Sequence, residues 1–433
     1  MAAEPGSPGQ PRGGGHRRVG PVGLRRAGRL RELVAAGVAD SFGMALGWTV
    51  FVLLAVSRGG LAEAALYNAA MLIGVVLSAP VTGWLARRVP GRGLLRGAAG
   101  TEMLLRVGAL AGLIAGLPSW LIAVAVVAMH IAAWTGFAAM RAEVAAVDAR
   151  PRSMTRYALA ISAVEAAGTG LGALLPAGPD GYPTGPALVV VFVLYAGSLL
   201  PTVLSARRAR MTPRGAARRI VTARSLAYGM IRATRHARHT PHRAGRRRIV
   251  APHLLVAGGG VMLLASGPTL LAIPLTTELH GRHWVAAAAV AFSLGCLLAT
   301  AAVETAGRLR LPASLRWTLW GLGMLVGWLG AALHAGGVIL AQFLAGVSQT
   351  AFEGDMDAVV ADQAPPEAVT TALAYSASTR ALGGSIAVRL LPALVTAQAI
   401  DKVVSGAVLI LGTAALALWI LTNVPGLYRR LAR

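Results

Sequence analysis

Residues 148–173 read DARPRSMTRYALAISAVEAAGTGLGA, and residues 362–387 read DQAPPEAVTTALAYSASTRALGGSIA. Laid over one another without gaps, at an offset of 214, the two stretches share ten residues in a window of 26. Alanine richness inflates that score. It does not account for Asp148/Asp362, Pro151/Pro365, Ser162/Ser376 and Gly170/Gly384. A unit that recurs this far along the chain is the mark of a duplicated architecture.

The rest of the sequence says what is duplicated. The chain has 433 residues, 55% of them hydrophobic and only 13% charged, with a mean hydropathy of +0.63. A soluble domain of this size cannot hide so much apolar surface, so the excess faces lipid. A spanning helix needs roughly 20 apolar residues. About twelve such segments are present, at 33–56, 62–85, 93–115, 118–140, 155–176, 186–206, 249–273, 284–306, 315–334, 336–358, 368–394 and 403–424. Gly258, Gly259, Gly260 and Pro268 break the seventh, and the eleventh carries two arginines. The repeated stretch runs from the end of the fourth segment through the fifth, and again from the tenth through the eleventh. The expected fold class is therefore all-α and polytopic: 12 transmembrane helices as two six-helix bundles related by a pseudo-two-fold axis. The expected domains are a disordered basic tail (1–31), a first bundle (32–206), a basic linker (207–248), a second bundle (249–424) and a short basic tail (425–433).

Charge distribution supplies the topology. The net charge is +24, a value that can accompany nucleic-acid binding when it lies on one soluble face. Here it falls in short runs between apolar segments, so no nucleic acid is expected. Counting alternate loops, 35 of the basic residues fall on one side and three (Arg58, Arg282 and Lys402) on the other. Such a split predicts that the arginine-rich loops and both termini lie in the cytoplasm, in a cytoplasmic (inner) membrane. The linker carries fourteen arginines and no acid. Part of it, around Ala216–Ile231, is expected to lie as an amphipathic helix on anionic lipid. The single cysteine, Cys296, cannot form an internal disulfide and belongs to no zinc spacing. No cofactor and no metal site are expected, and there is no phosphate-binding loop for ATP hydrolysis.

A second motif follows the second segment: Gly83-Trp84-Leu85-Ala86-Arg87-Arg88-Val89-Pro90-Gly91-Arg92. With the helix count, the long central loop and the repeat, it resembles the major facilitator superfamily, whose helix 2–3 loop reads glycine-x-leucine-alanine-aspartate-arginine-x-glycine-arginine. Two departures stand out: Arg87 replaces the aspartate, and Pro90 is inserted. The resemblance implies a cytoplasmic gate at Gly83, Arg87, Arg88 and Arg92, with Glu143 as a substitute acid and with Asp148 and Asp362 at the equivalent loop ends. The run Asp362–Glu367 followed by Ala381-Leu382-Gly383-Gly384 is similar to the drug- and siderophore-exporter branches, and Gly168, Gly170 and Gly172 loosely match an antiporter motif.

Ionisable groups inside a membrane are costly, which makes each a site hypothesis. Asp40 in the first segment and Glu165 in the fifth are candidate proton-coupling carboxylates. Glu165 shares a helical face with Ala158, Ser162 and Thr169. Arg380 stands one position past the residue aligned with Glu165, so a contact across the seam or an anion-binding role is conceivable. The resemblance implies a central cavity, for which His130, Trp134, Gln342, Gln349 and Arg380 are candidate lining residues. Glu102 and Arg106, spaced i,i+4, read as a structural ion pair. Glu353, Asp355 and Asp357 could pair with Arg308, Arg310 or the linker.

These features read as a monomeric secondary transporter without enzymatic activity. The expected cargo is a small hydrophobic or amphipathic molecule (drug, siderophore or secondary metabolite), driven outward against protons or another cation. An importer of the same fold, a polytopic membrane enzyme and a transporter-like sensor are the alternatives.

Overall fold

The computed structural model describes residues 21–147, 151–176, 185–209, 251–309, 311–363 and 369–423. All regular structure among them is helical. Helix α1 (Pro21–Arg88) is a hairpin of two arms. The bend falls at Gly59 and Gly60, where φ 62° and ψ −156° at Gly60 give a backbone that only glycine adopts without strain. Then come α2 (Gly91–Ile114), α3 (Ser119–Val147), α4 (Pro151–Leu174), α5 (Gly185–Gly197) and α6 (Leu200–Ser205). Beyond the linker lie α7 (Pro252–Ala265), α8 (Gly267–Leu270), α9 (Ala272–His280), α10 (His283–Arg308) and α11 (Ala313–Val326). Three more complete the chain: α12 (Ala335–Gln363), α13 (Val369–Leu394) and α14 (Ile400–Asn423).

Helix occupies every predicted span in order. Seven of these helices are long and apolar enough to cross a membrane on length and composition among the described residues, one of them being both arms of α1. The fifth, seventh, ninth and eleventh passes fall outside that set, being shorter, broken or more polar. The sixth is split into α5 and α6 because Pro201 has no N–H for the carbonyl a turn earlier. The seventh is broken twice, into α7, α8 and α9, around Pro268. Bulky side chains such as Leu104, 71% exposed, and Leu333, 87% exposed, point outward. On a multi-pass membrane protein that is the face for lipid.

Packing repeats along with the sequence. In the first half α4 lies on the first arm of α1, and in the second α13 lies on α7. Gly168 and Gly172 face the carbonyls of Phe42 and Leu46, and Gly383 faces that of Gly259. A Cβ at any of these positions would strike backbone, so small residues set the interhelical distance. Likewise α2 packs on α3 and α5, as α11 packs on α12 and α14. The halves then meet crosswise, α4 on α10 and the second arm of α1 on α13. Ser385 Oγ donates to the Ala69 carbonyl at 3.3 Å across that second seam.

One expectation needs correction. The basic tail does not extend to residue 31: α1 begins at Pro21, and Arg29 on it pairs with Glu32 at 3.0 Å and Glu143 at 3.5 Å. A Gly/Pro/Arg-rich stretch thus becomes helix where a distant acid holds it. The expected lipid-facing helix near 216–231 and the loop residue Asp148 lie outside the described residues.

Candidate functional site

Two clusters of polar groups stand inside the helical bundle. The first is built on Arg106 of α2, whose side chain is only 1% exposed. Its Nη2 donates both to Asp40 Oδ1 of α1, at 2.6 Å, and to Glu102 Oε1, one turn earlier on α2. Its Nη1 donates to the Tyr195 carbonyl at 2.7 Å and to Ser198 Oγ at 3.0 Å. That carbonyl is free because of the α5–α6 break: Leu199 N–H bonds to Ala196 O and no longer continues the α-helical ladder. The expected Glu102–Arg106 pair is present, and Asp40 joins it. Two carboxylates therefore share one guanidinium nitrogen. Glu102 is 2% exposed at its side chain and Asp40 29%, so Asp40 is the acid of the pair that reaches open space.

The second cluster lines a cavity of about 260 Å³ on the seam between the halves. Glu165 and Thr169 come to it from α4, Ile273 from α9, Phe292 and Cys296 from α10, and Gln342 from α12. Gln342 is 3% exposed, and its Nε2 has no hydrogen-bond partner among the described residues. Asp40 acts electrostatically on Glu165, which connects the two clusters.

One turn beyond the cavity, at the arginine-poor end, the halves are tied together. Arg282 Nε donates to the Ala173 carbonyl at 3.1 Å, and its Nη2 to that of Leu175. A cation thus caps the C-terminal end of α4, where unpaired carbonyls gather. Nearby, the Glu278 carboxylate of α9 lies against the Gly59–Gly60 bend. The sequence reading had counted Arg282 only as one of three basic residues on that side. Its rarity there was the available signal.

Losing both Arg282 bonds, each worth about 1–1.5 kcal/mol at this partly exposed position, amounts to roughly a 30- to 150-fold change in any opening equilibrium. Arg282→Ala is accordingly expected to speed alkylation of Cys296 by a membrane-impermeant maleimide added to the arginine-poor face. An unchanged rate would mean that Arg282 does not hold this end shut.

The remaining candidates are placed as follows. His130 is buried on α3, with Nδ1 3.0 Å from the Val126 carbonyl and its ring edge-on to Trp48. Trp134, 42% exposed, lies edge-on to Phe137. Gln349 donates to Glu353 at 3.3 Å, one turn along α12. Arg380 does not meet Glu165: it donates to Asp357 Oδ1 at 2.9 Å and to Ser376 Oγ. Asp355 forms a two-pronged pair with Arg316, at 2.6 and 2.9 Å, where Arg308, Arg310 or the linker had been considered. At the gate motif Gly83, Arg88 and Arg92 are exposed, and the Arg88 guanidinium lies 4.2 Å from the Trp84 ring centroid. Glu143 is buried beside Arg29, while Asp362 is exposed near the end of α12. The side chain of Arg87 is outside the described set.

No family model matches the sequence, and no curated protein does either. Solved structures do match in shape. The D-xylose-proton symporter superposes with a TM-score of 0.65 at 14% identity, covering 90% of this chain and 97% of its own. The nucleoside transporter NupG gives 0.60 at 11% identity, covering 90% and 99%. The POT family transporter PepTSo gives 0.60 at 11% identity, covering 90% and 98%. At such identities the likeness is one of fold. It runs over nearly the whole length of each chain.

Proposed function

We propose that this chain is a secondary transporter that moves a small molecule across the membrane by alternating access, coupled to protons. The observation that carries the reading is the cavity at the seam of two related halves. One wall comes from α4 of the first half and the others from α9, α10 and α12 of the second. Rocking one half against the other about such a site exposes it to each side in turn. The solved structures of similar shape carry the names of sugar, nucleoside and peptide transporters, which supports the general activity.

Proton coupling rests on the Asp40–Arg106–Glu102 cluster. With both acids ionised the cluster carries one negative charge in a nearly dry interior, and one proton makes it neutral. We take export of an amphipathic small molecule as the primary direction, on the exporter-like run Asp362–Glu367 and Ala381–Gly384. Import is the alternative, favoured by the symporter among the shape-matched structures. The arginine distribution supports cytoplasmic termini in the inner membrane, and the linker's fourteen arginines support contact with anionic lipid.

Reconstituted vesicles test the reading. An imposed pH gradient should drive uptake of a transported solute in one orientation, and that solute should in turn dissipate the gradient faster than protein-free vesicles do. Screening amphipathic solutes in both orientations and finding no solute-dependent proton movement would dispose of it.

A further inference from the structure

The cavity on the seam holds an uncompensated acid. Among the described residues Glu165 makes no ion pair or hydrogen bond; its side chain is exposed and lines a largely apolar chamber with Ile273, Val285 and Phe292. Each basic residue that might have balanced it is engaged elsewhere. Arg106 is held by Asp40 and Glu102, Arg282 by two carbonyls of the α4 end, and Arg380 by Asp357. Among the described residues no arginine, lysine or histidine lines the cavity. Opposite the acid, Gln342 contributes a buried amide nitrogen with nothing to donate to. A buried donor left unmade costs about 1–3 kcal/mol, so a ligand that accepts from it gains what the empty site forgoes. The chamber, at about 260 Å³, falls below the range of about 300–1,000 Å³ typical of drug-sized pockets, which restricts the occupant to a small molecule.

We propose that this cavity binds a small organic monocation: an amine with an apolar body, its ammonium paired with Glu165 and an acceptor oxygen on the same molecule receiving the Gln342 amide. The proposal rests on the transporter reading for its meaning, since it names the class of cargo. It does not need transport for its test. Anions are disfavoured by Glu165, and neutral analogues leave the carboxylate without its counter-charge.

Cys296, the only cysteine in the chain, lines the same cavity and supplies the readout. The full-length protein in lipid nanodiscs, with no gradient, is treated with N-ethylmaleimide and the adduct is followed by mass. The probes are 2-phenoxyethylamine, the neutral 2-phenoxyethanol and the anionic phenoxyacetate. Saturating amine should slow alkylation about tenfold, with the alcohol and the carboxylate giving little protection at equal concentration. Glu165→Gln should abolish protection by the amine and Glu165→Asp should restore part of it, with gel-filtration profiles confirming that each variant is folded. Gln342→Leu should weaken 2-phenoxyethylamine several-fold and 3-phenylpropylamine, which lacks the ether oxygen, much less. Equilibrium dialysis of labelled amine repeats the comparison independently of the thiol.

Equal protection by all three probes, absence of saturable amine binding in dialysis, or undiminished binding to Glu165→Gln would overturn the proposal. Amine binding without gradient-driven flux would leave the site standing and remove the transporter reading. Proton-linked flux of other solutes, with no amine binding, would do the reverse.

Discussion

Arg106→Leu is expected to leave little folded protein to extract from the membrane. Removing the guanidinium strands two carboxylates, Asp40 and Glu102, in a site where the arginine side chain is 1% and the glutamate 2% exposed. Breaking a buried ion pair by deleting one partner costs about 3–5 kcal/mol, because the other charge is left uncompensated. A typical domain has about 5–15 kcal/mol to lose. The same substitution takes the nearer of two side-chain donors from the Tyr195 carbonyl, which the α5–α6 break has already freed from the helix ladder. The cause is separable from simple loss of bulk. Combining Arg106→Leu with Asp40→Asn and Glu102→Gln removes both stranded charges, and most of the folded yield should return. The shortfall that remains should be about 1 kcal/mol, since the Tyr195 carbonyl loses the guanidinium but keeps the Ser198 hydroxyl as a donor at 3.2 Å. Gel filtration of detergent extracts after stepwise heating measures all of this. A single Arg106→Leu variant that melts within a few degrees of the parent would show that the cluster is not the keystone of α1, α2 and α5.

The architecture was legible because lipid is an unusually simple solvent. A segment facing it must be apolar and must satisfy its own backbone, so the spans announce themselves in composition. The duplication was legible at the loop ends and glycines, where close helix contact leaves little freedom of choice. The shared pair Gly170 and Gly384 shows that constraint: a Cβ would meet Ala286 at the first and Leu270 at the second. Contacts between helices were harder to read. The i,i+4 spacing of Glu102 and Arg106 was visible, but that Asp40 joins them depends on how α1 is turned against α2, which no local pattern specifies.

Arg380 illustrates the limit from the other side. The repeat aligns Glu165 with Thr379, so depth alone placed Arg380 across from the acid. One residue is about 100° of helix rotation, and that rotation directs Arg380 to Asp357 on α12. Depth in the membrane was thus recoverable from sequence, whereas azimuth was not. That Ser293 and Cys296 join Thr169 around Glu165 was not legible for a related reason. Small polar side chains satisfy themselves on their own helix, and only the meeting of four helices makes them a lining.

Asp40→Asn is expected to lower gradient-driven flux about tenfold or more while leaving solute exchange at equal pH within about twofold of the parent. The asymmetry follows from the geometry of the cluster. A proton that couples transport has to leave to water on one side and return from the other. Glu102, 2% exposed, is sealed against its guanidinium partner, whereas Asp40 on α1 keeps 29% of its side chain exposed. Asparagine keeps the hydrogen bond to Arg106 and the volume, so the fold and the seam should survive. It removes the exchangeable proton, so the driven half of the cycle fails and the exchange half, which moves no net charge, continues. Glu102→Gln should have the smaller effect on driven flux, since its role in the geometry is to hold Arg106. The measurement is initial-rate uptake into vesicles with an imposed gradient, compared with counterflow at equal pH, across roughly pH 6–8. If Asp40→Asn runs downhill on the gradient as fast as the parent at every pH, the buried acids are scaffolding. The coupling proton would then have to be carried elsewhere on the seam, with Glu165 the remaining carboxylate on its wall.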